Sequence, residues 1–266
     1  MKLFVATSIA LCALYGKYSS AHAGDMLPVS PRLENSSMES DQWHFSASPY
    51  FWAAGIDGKV GQAGQFGLAP TTLKSDFSSI LDDLDFSFMG VAEARSDRYS
   101  LFGDVMYTKI SQGGNTPVGF LSQSVDVTSQ TFSGFFGGGY SVFEDDKGRL
   151  DLVAGARVWY TSTEISISGG LLDGKSKSDN AFWVDAVAGI RGQYFLTDNL
   201  YLTGWALVGG GQAKLDWDVT AAFGYRIQQN LSAVAGYRAL GVDYSHDGFV
   251  YDVVQQGPIL GLVYHF

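Results

Sequence analysis

A period of two runs through this chain from residue 43 to its last residue, and no other feature constrains the fold as strongly. In Phe182–Leu196, one face carries Phe182, Val184, Ala186, Ala188, Ile190, Gly192, Tyr194 and Leu196. The other carries Trp183, Asp185, Arg191 and Gln193. Successive side chains of a β-strand point to opposite faces, so this is a strand with one apolar face and one mixed polar face. The alternation recurs in Trp43–Ala53, Phe86–Arg95, Tyr99–Ser111, Val125–Phe143, Leu150–Thr163, Tyr201–Gly210, Trp217–Ile227, Leu231–Tyr244 and Phe249–Phe266, which makes ten predicted strands.

The connections alternate in length. Ser96–Arg98, Glu144–Arg149, Thr197–Leu200 and Gln228–Asn230 are short, whereas Gly55–Asp85, Gln112–Ser124 and Ser166–Asp179 are long. Short turns at one end and long loops at the other mark a transmembrane β-barrel with periplasmic turns. A soluble β-sandwich would turn its charged face to water and its apolar face inward. Here the charges are few and the apolar face ends in aromatics. Trp43, Tyr99, Tyr194, Tyr201 and Tyr225 lie at the short-turn end, and Phe51, Tyr107, Tyr160, Phe182 and Trp217 at the loop end. Two aromatic belts bounding an apolar band fit the two lipid interfaces. The predicted fold is therefore all-β: a closed antiparallel transmembrane barrel of ten strands, with eight or twelve as alternatives because Gly55–Asp85 can hide a hairpin. Within that stretch, Ser79 and Asp82 have capping-box spacing and predict a short helix running through Leu84.

The chain's start supplies the compartment. Lys2, an apolar run from Leu3 to Tyr15 and the small residues Ala21 and Ala23 form a secretory signal, with cleavage expected after Ala23. Residues 1–23 are thus a signal peptide, 24–42 a polar periplasmic leader and 43–266 the barrel. The single cysteine, Cys12, lies in the signal, so the mature chain has no disulfide or thiolate chemistry. A net charge of -10 excludes nucleic acid as a partner.

Parity places a balanced charge set on the inward face: Glu93, Asp104, Asp151, Asp185 and Asp218 with Arg95, Arg157, Arg191, Arg226 and Arg238. The lysines Lys59, Lys74, Lys175, Lys177 and Lys214 fall in the predicted external loops. A guanidinium fork holds two carboxylates at once and tolerates partial dehydration, so this set reads as a network filling the lumen. A selective pore would tend to show one sign of charge.

The chain ends in GPILGLVYHF with Leu260, Leu262, Tyr264 and Phe266 on the lipid face. The terminal Phe266, with Tyr264, Leu262 and Gly261 before it, resembles the C-terminal assembly signal of Gram-negative outer-membrane proteins, although Ile259 replaces a polar residue of that signal. That resemblance implies the barrel-assembly machinery as a partner during biogenesis. The stretches SPYFWAAGIDGKVG, ILDDLDFSFMGVAEARSDRYSLFGDVMY and GYRALGVDYSHDGFVYDVVQQGP resemble a group of largely uncharacterised proteobacterial outer-membrane β-barrel proteins. This implies location and fold and carries no catalytic or ligand residues.

Other motifs read as structural. GGLLDGKS, Gly169–Ser176, matches the phosphate-loop pattern but runs into a strand instead of a helix. The triplets Gly137–Gly139 and Gly209–Gly211 lie in strands, where glycine permits kinks or close packing. His44 and His265 fall at the periplasmic ends of the first and last strands. Ser245, His246 and Asp247 are adjacent in sequence, which spreads side chains apart instead of converging them for catalysis. No catalytic residue, cofactor or metal ligand is expected. The functional expectation is an integral outer-membrane protein in contact with lipid, mainly a scaffold with exposed loops and a filled lumen. A narrow solute channel and a rim enzyme acting on lipid or peptide are the alternatives.

Overall fold

The computed structural model describes residues 43–62, 71–115, 124–168 and 175–266. The predicted signal peptide and leader, and most of the GGLLDGKS motif, lie outside them. The described residues form twelve strands and one helix, in order: β1 (His44–Trp52), β2 (Gly55–Gln62), β3 (Thr71–Ser75), α1 (Phe77–Asp82), β4 (Leu84–Ser96), β5 (Tyr99–Asn115), β6 (Ser124–Glu144), β7 (Gly148–Ser168), β8 (Lys175–Phe195), β9 (Leu200–Gly211), β10 (Leu215–Gln228), β11 (Leu231–His246) and β12 (Phe249–His265).

Ten of these strands form the barrel. Each pairs antiparallel with its neighbour from β4 round to β12, and β1 closes the ring between β12 and β4. Closure leaves no edge for lipid to face, which is what a sheet in a bilayer requires. Gly55–Asp85 does contain a hairpin, β2–β3, but it lies outside the ring: β2 continues β1 along β12, and β3 pairs with β2.

Register explains the outer surface. Phe88, Tyr107, Phe132, Tyr160 and Phe182 are consecutive partners across β4 to β8, a row of five aromatics on the outward face. Eight residues down β5 from Tyr107, Tyr99 stacks edge-on against Tyr140 with ring centroids 5.4 Å apart. Eight residues span about 27 Å along a strand and about 20 Å after a tilt of ~40°, close to the ~25 Å apolar band of such barrels. Between the two belts the outward side chains include Leu101, Val105, Phe136, Leu152, Ile190, Val208, Val219 and Leu260, all exposed. The strands β6, β7 and β8 are 21 residues each, whereas about 9–11 residues suffice to cross a bilayer. Strand therefore extends into both stretches expected to be loops, Gln112–Ser124 and Ser166–Asp179: β5 runs on through Asn115 and β6 begins at Ser124, while β7 continues to Ser168 and β8 begins at Lys175.

Two expectations need correction. The helix starts at Phe77, capped by Asp76, whose Oδ1 accepts from the Ser79 amide at 2.9 Å, and it stops at Asp82. Ser79 lies inside it, because Asp76 provides an earlier carboxylate cap and β4 claims Leu84. Tyr201 faces the lumen and is buried. Both parities of β9 are apolar, and only its register decides the face: Tyr201 pairs with Gly224, and its ring covers that glycine in space a side chain would need.

Candidate functional site: a three-tier lumen

Inward rows set by register build the lumen from the short-turn end upward. The lowest tier gathers arginines. Glu93 receives Arg95 Nε at 3.0 Å, Arg149 Nη2 at 3.4 Å and Arg191 Nη1 at 2.6 Å, while Arg95 also binds Asp151. The Arg191 guanidinium also lies over the Phe102 ring, 4.5 Å from its centroid. Ser141 Oγ donates to Asp151 Oδ1 at 2.6 Å. His44 and His265 line the small cavity here, about 160 Å³, as expected from closure of the first strand on the last.

The middle tier crosses the barrel. Val91, Asp104, Phe135, Arg157 and Asp185 are register partners on β4 to β8. Arg157 does not pair with its neighbour Asp185. It reaches across to β10, donating from Nη1 to Asp216 at 2.8 Å and from Nη2 to Asp218 at 2.7 Å. Arg238 of β11 binds Asp218 Oδ2 at 2.7 Å and Asp104 Oδ2 at 2.5 Å, the latter on the opposite wall. Tyr50 of β1 donates to Asp104 Oδ1 at 2.8 Å and accepts from Arg238 Nη1 at 2.6 Å. Asp216, Arg157, Asp218, Arg238, Asp104 and Tyr50 thus form one unbroken bridge, and both guanidiniums are 1% exposed. Charges so deeply buried persist only when fully paired, and each carboxylate and guanidinium here has at least one charged partner.

The upper tier is aromatic. Trp159 and Trp183, cross-strand partners on β7 and β8, stack at 5.7 Å, and Trp183 stacks on Tyr244 at 4.2 Å. Trp159 Nε1 donates to Asp216 Oδ2 at 2.8 Å, which ties this tier to the bridge below.

All ten charges expected to point inward occupy lumen-facing register positions, and Arg226, the partner of the buried Ser232, differs from the other nine only in being exposed: it lies at the rim with its guanidinium 4.9 Å from the Phe195 ring centroid. Its position near the end of β10 lets a long side chain reach water. Asp185 is inward and buried but joins no ion pair among the described residues. Its Oδ1 accepts from the Ala213 amide at 2.8 Å and so fastens the β9–β10 turn. Three members were missed. Asp216 and Arg149 stand one residue beyond the predicted starts of their strands, where alternation gives no boundary. Tyr50, read as part of an apolar strand, contributes a hydroxyl. His246 Nε2 lies 3.3 Å from Asp247 Oδ2 on the exposed β11–β12 turn, where Asp247 and Gly248 have φ of 46° and 84°.

Comparison with known proteins agrees with this architecture. Residues 119–244 match a family described as "Protein of unknown function, DUF481". No curated protein matches the sequence. Among solved structures, the outer membrane protease OmpT from Escherichia coli is similar, with a TM-score of 0.56 at 12% identity, covering 85% of this chain and 98% of that one. The attachment invasion locus protein Ail of Yersinia pestis gives 0.37 at 14% identity, covering 84% of this chain and 98% of that one. The chain has the fold of an outer-membrane β-barrel. At such identities the likeness extends to the fold alone.

Proposed function

We propose that the chain is an integral protein of a Gram-negative outer membrane, a scaffold that presents long external hairpins on a barrel closed to steady ion flow. The observation that carries this reading is the paired bridge from Asp216 to Tyr50 across the mid-lumen. Ten strands enclose an interior only slightly wider than the eight-stranded case that side chains fill, whereas open porins use about sixteen to eighteen. Opening a path here would require separating buried charges from their partners. The outward apolar band and its aromatic belts support the membrane location.

Planar-bilayer recording of the refolded protein tests the reading. Wild type is expected to show little or no steady current. Replacing both Arg157 and Arg191 by Ala removes two bulky cations from adjacent strands and is expected to raise conductance and shift selectivity toward cations. A large, stable wild-type conductance would overturn the closed lumen and favour the narrow-channel alternative.

The C-terminal residues belong to the same reading. Gly261, Leu262, Tyr264 and Phe266 act as the signal for barrel assembly, supported by their position on the closing strand, where the Phe266 amide donates to Phe45 O at 3.0 Å. Deleting Phe266 is expected to lower the yield of heat-modifiable protein in outer membranes. Equal yield from both chains would remove this role.

A further inference from the structure

Above the bridge, the ring of strands is incomplete. The pairing of β1 with β4 runs only from His44↔Arg95 to Pro49↔Gly90. Beyond Gly90, β2 follows β12 and β3 follows β2, so among the described residues no strand pairs with the facing edge of β4 between Leu84 and Met89. Proline at the divergence has no amide to donate to a ladder. The helix α1 connects β3 to β4 at this gap, and its Phe77 meets the outward-facing Phe51 edge-on with centroids 5.5 Å apart.

A cavity of about 380 Å³ opens behind the gap. Its lining crosses the wall: the outward Phe51 and Leu73 belong to it, and so do the inward Trp52, Met106, Trp159 and Tyr251. Hydroxyls of Ser87, Thr108, Ser129, Thr131 and Ser133 form the facing side. Among the described residues no lysine, arginine or histidine lines it, and its acid, Asp83, accepts from Gln112 Nε2 at 3.1 Å. Phe88 places the edge of the gap in the outward aromatic row, at the level where such belts meet the bilayer interface.

We propose that this upper lumen is a binding site for small, neutral, largely apolar molecules, which enter from the membrane through the gap between α1 and β4. An aromatic and thioether lining with a few hydroxyls at one side is the usual composition of a small-molecule pocket, and the volume is at the small end of that range. The absence of a lining cation sets the charge class. A carboxylate or phosphate ligand would be desolvated there without a partner, whereas a neutral molecule would not. Met89 and Met106, which are register partners, form a thioether pair that adapts to varied shapes. The site lies above the charged bridge, so binding does not require the barrel to conduct.

Tryptophan fluorescence of the full refolded chain in phosphatidylcholine nanodiscs tests this. Bromobenzene, a neutral heavy-atom quencher, is expected to give a saturable quenching component superposed on the linear one from partitioning into lipid. 4-Bromobenzoate, of similar size but anionic, is expected to give none. Thr108→Phe and Ser133→Phe each fill the cavity from a different strand, and heat-modifiability reports whether each is folded. Either folded variant is expected to weaken the saturable component at least tenfold. Strictly linear quenching of the wild type would overturn the proposal whatever the variants do. So would saturable quenching unchanged in a folded variant, or equal saturation by 4-bromobenzoate.

Discussion

The middle and upper tiers of the lumen occupy the same barrel and are built from the same inward rows, yet they solve the filling problem in opposite ways. The middle tier joins β1, β5, β7, β10 and β11 through three carboxylates, two guanidiniums and a phenol, and its contacts are long-range and directional. The upper tier uses stacked rings and methionines, and leaves a cavity. In the middle tier each charged partner fixes the next. The larger of the two lumen cavities, about 380 Å³ against about 160 Å³ beside the lower charges, lies with the aromatics, whose contacts are non-directional.

Removing one charge from the middle tier is expected to produce the largest effect. Arg238→Ala leaves Asp104 and Asp218 buried beside each other's former cation, and breaking a buried pair in this way costs about 3–5 kcal/mol. The urea midpoint of refolded protein in lipid vesicles measures it. A loss no greater than that of an aromatic truncation above would erase the distinction between the tiers. Trp183→Leu is expected to cost less, about 1–3 kcal/mol, from two stacked contacts each worth about 0.5–1.5 kcal/mol. It should open no conducting path, which separates the two tiers by function as well as by stability.

The smallest effect concerns the gap beside the upper tier. Asp76 is held below its ordinary carboxylate pKa, chiefly by the Ser79 amide and then by the Ser78 and Ser79 hydroxyls. A depressed folded pKa means that this cap contributes fully above the unfolded value and is lost as pH falls through the folded one. Amide exchange in Phe77–Asp82 is therefore expected to speed up on acidification in wild type and to be fast throughout in Asp76→Ala. Barrel amides in β6 and β7 should be unchanged by this substitution.

Particular elements show where sequence reading succeeds. Trp183, Asp185 and Arg191 read as inward from alternation alone because β8 has one uniformly apolar face along its length. Tyr201 was misassigned because β9 is apolar on both faces, so its environment does not write itself into the pattern. Asp216 escaped because strand ends have no periodic signal, although it is one of the bridge's two anchors for Arg157.

Sequence by itself determined the alternation, the closed barrel with its aromatic belts, and the sign balance of the interior. These follow from a solvent that is the same all around the outer surface, so each strand reports it independently. Tertiary structure decided which acid each arginine chose, that Arg157 would pass over the adjacent Asp185 for Asp216 and Asp218, and that β1 would part from β4 at Pro49. Those outcomes depend on distances across the lumen and on the stagger between strands, which join residues far apart in sequence, 188 positions in the Arg238–Tyr50 contact. A local periodicity contains no information about such distances, because they exist only once the ring has closed.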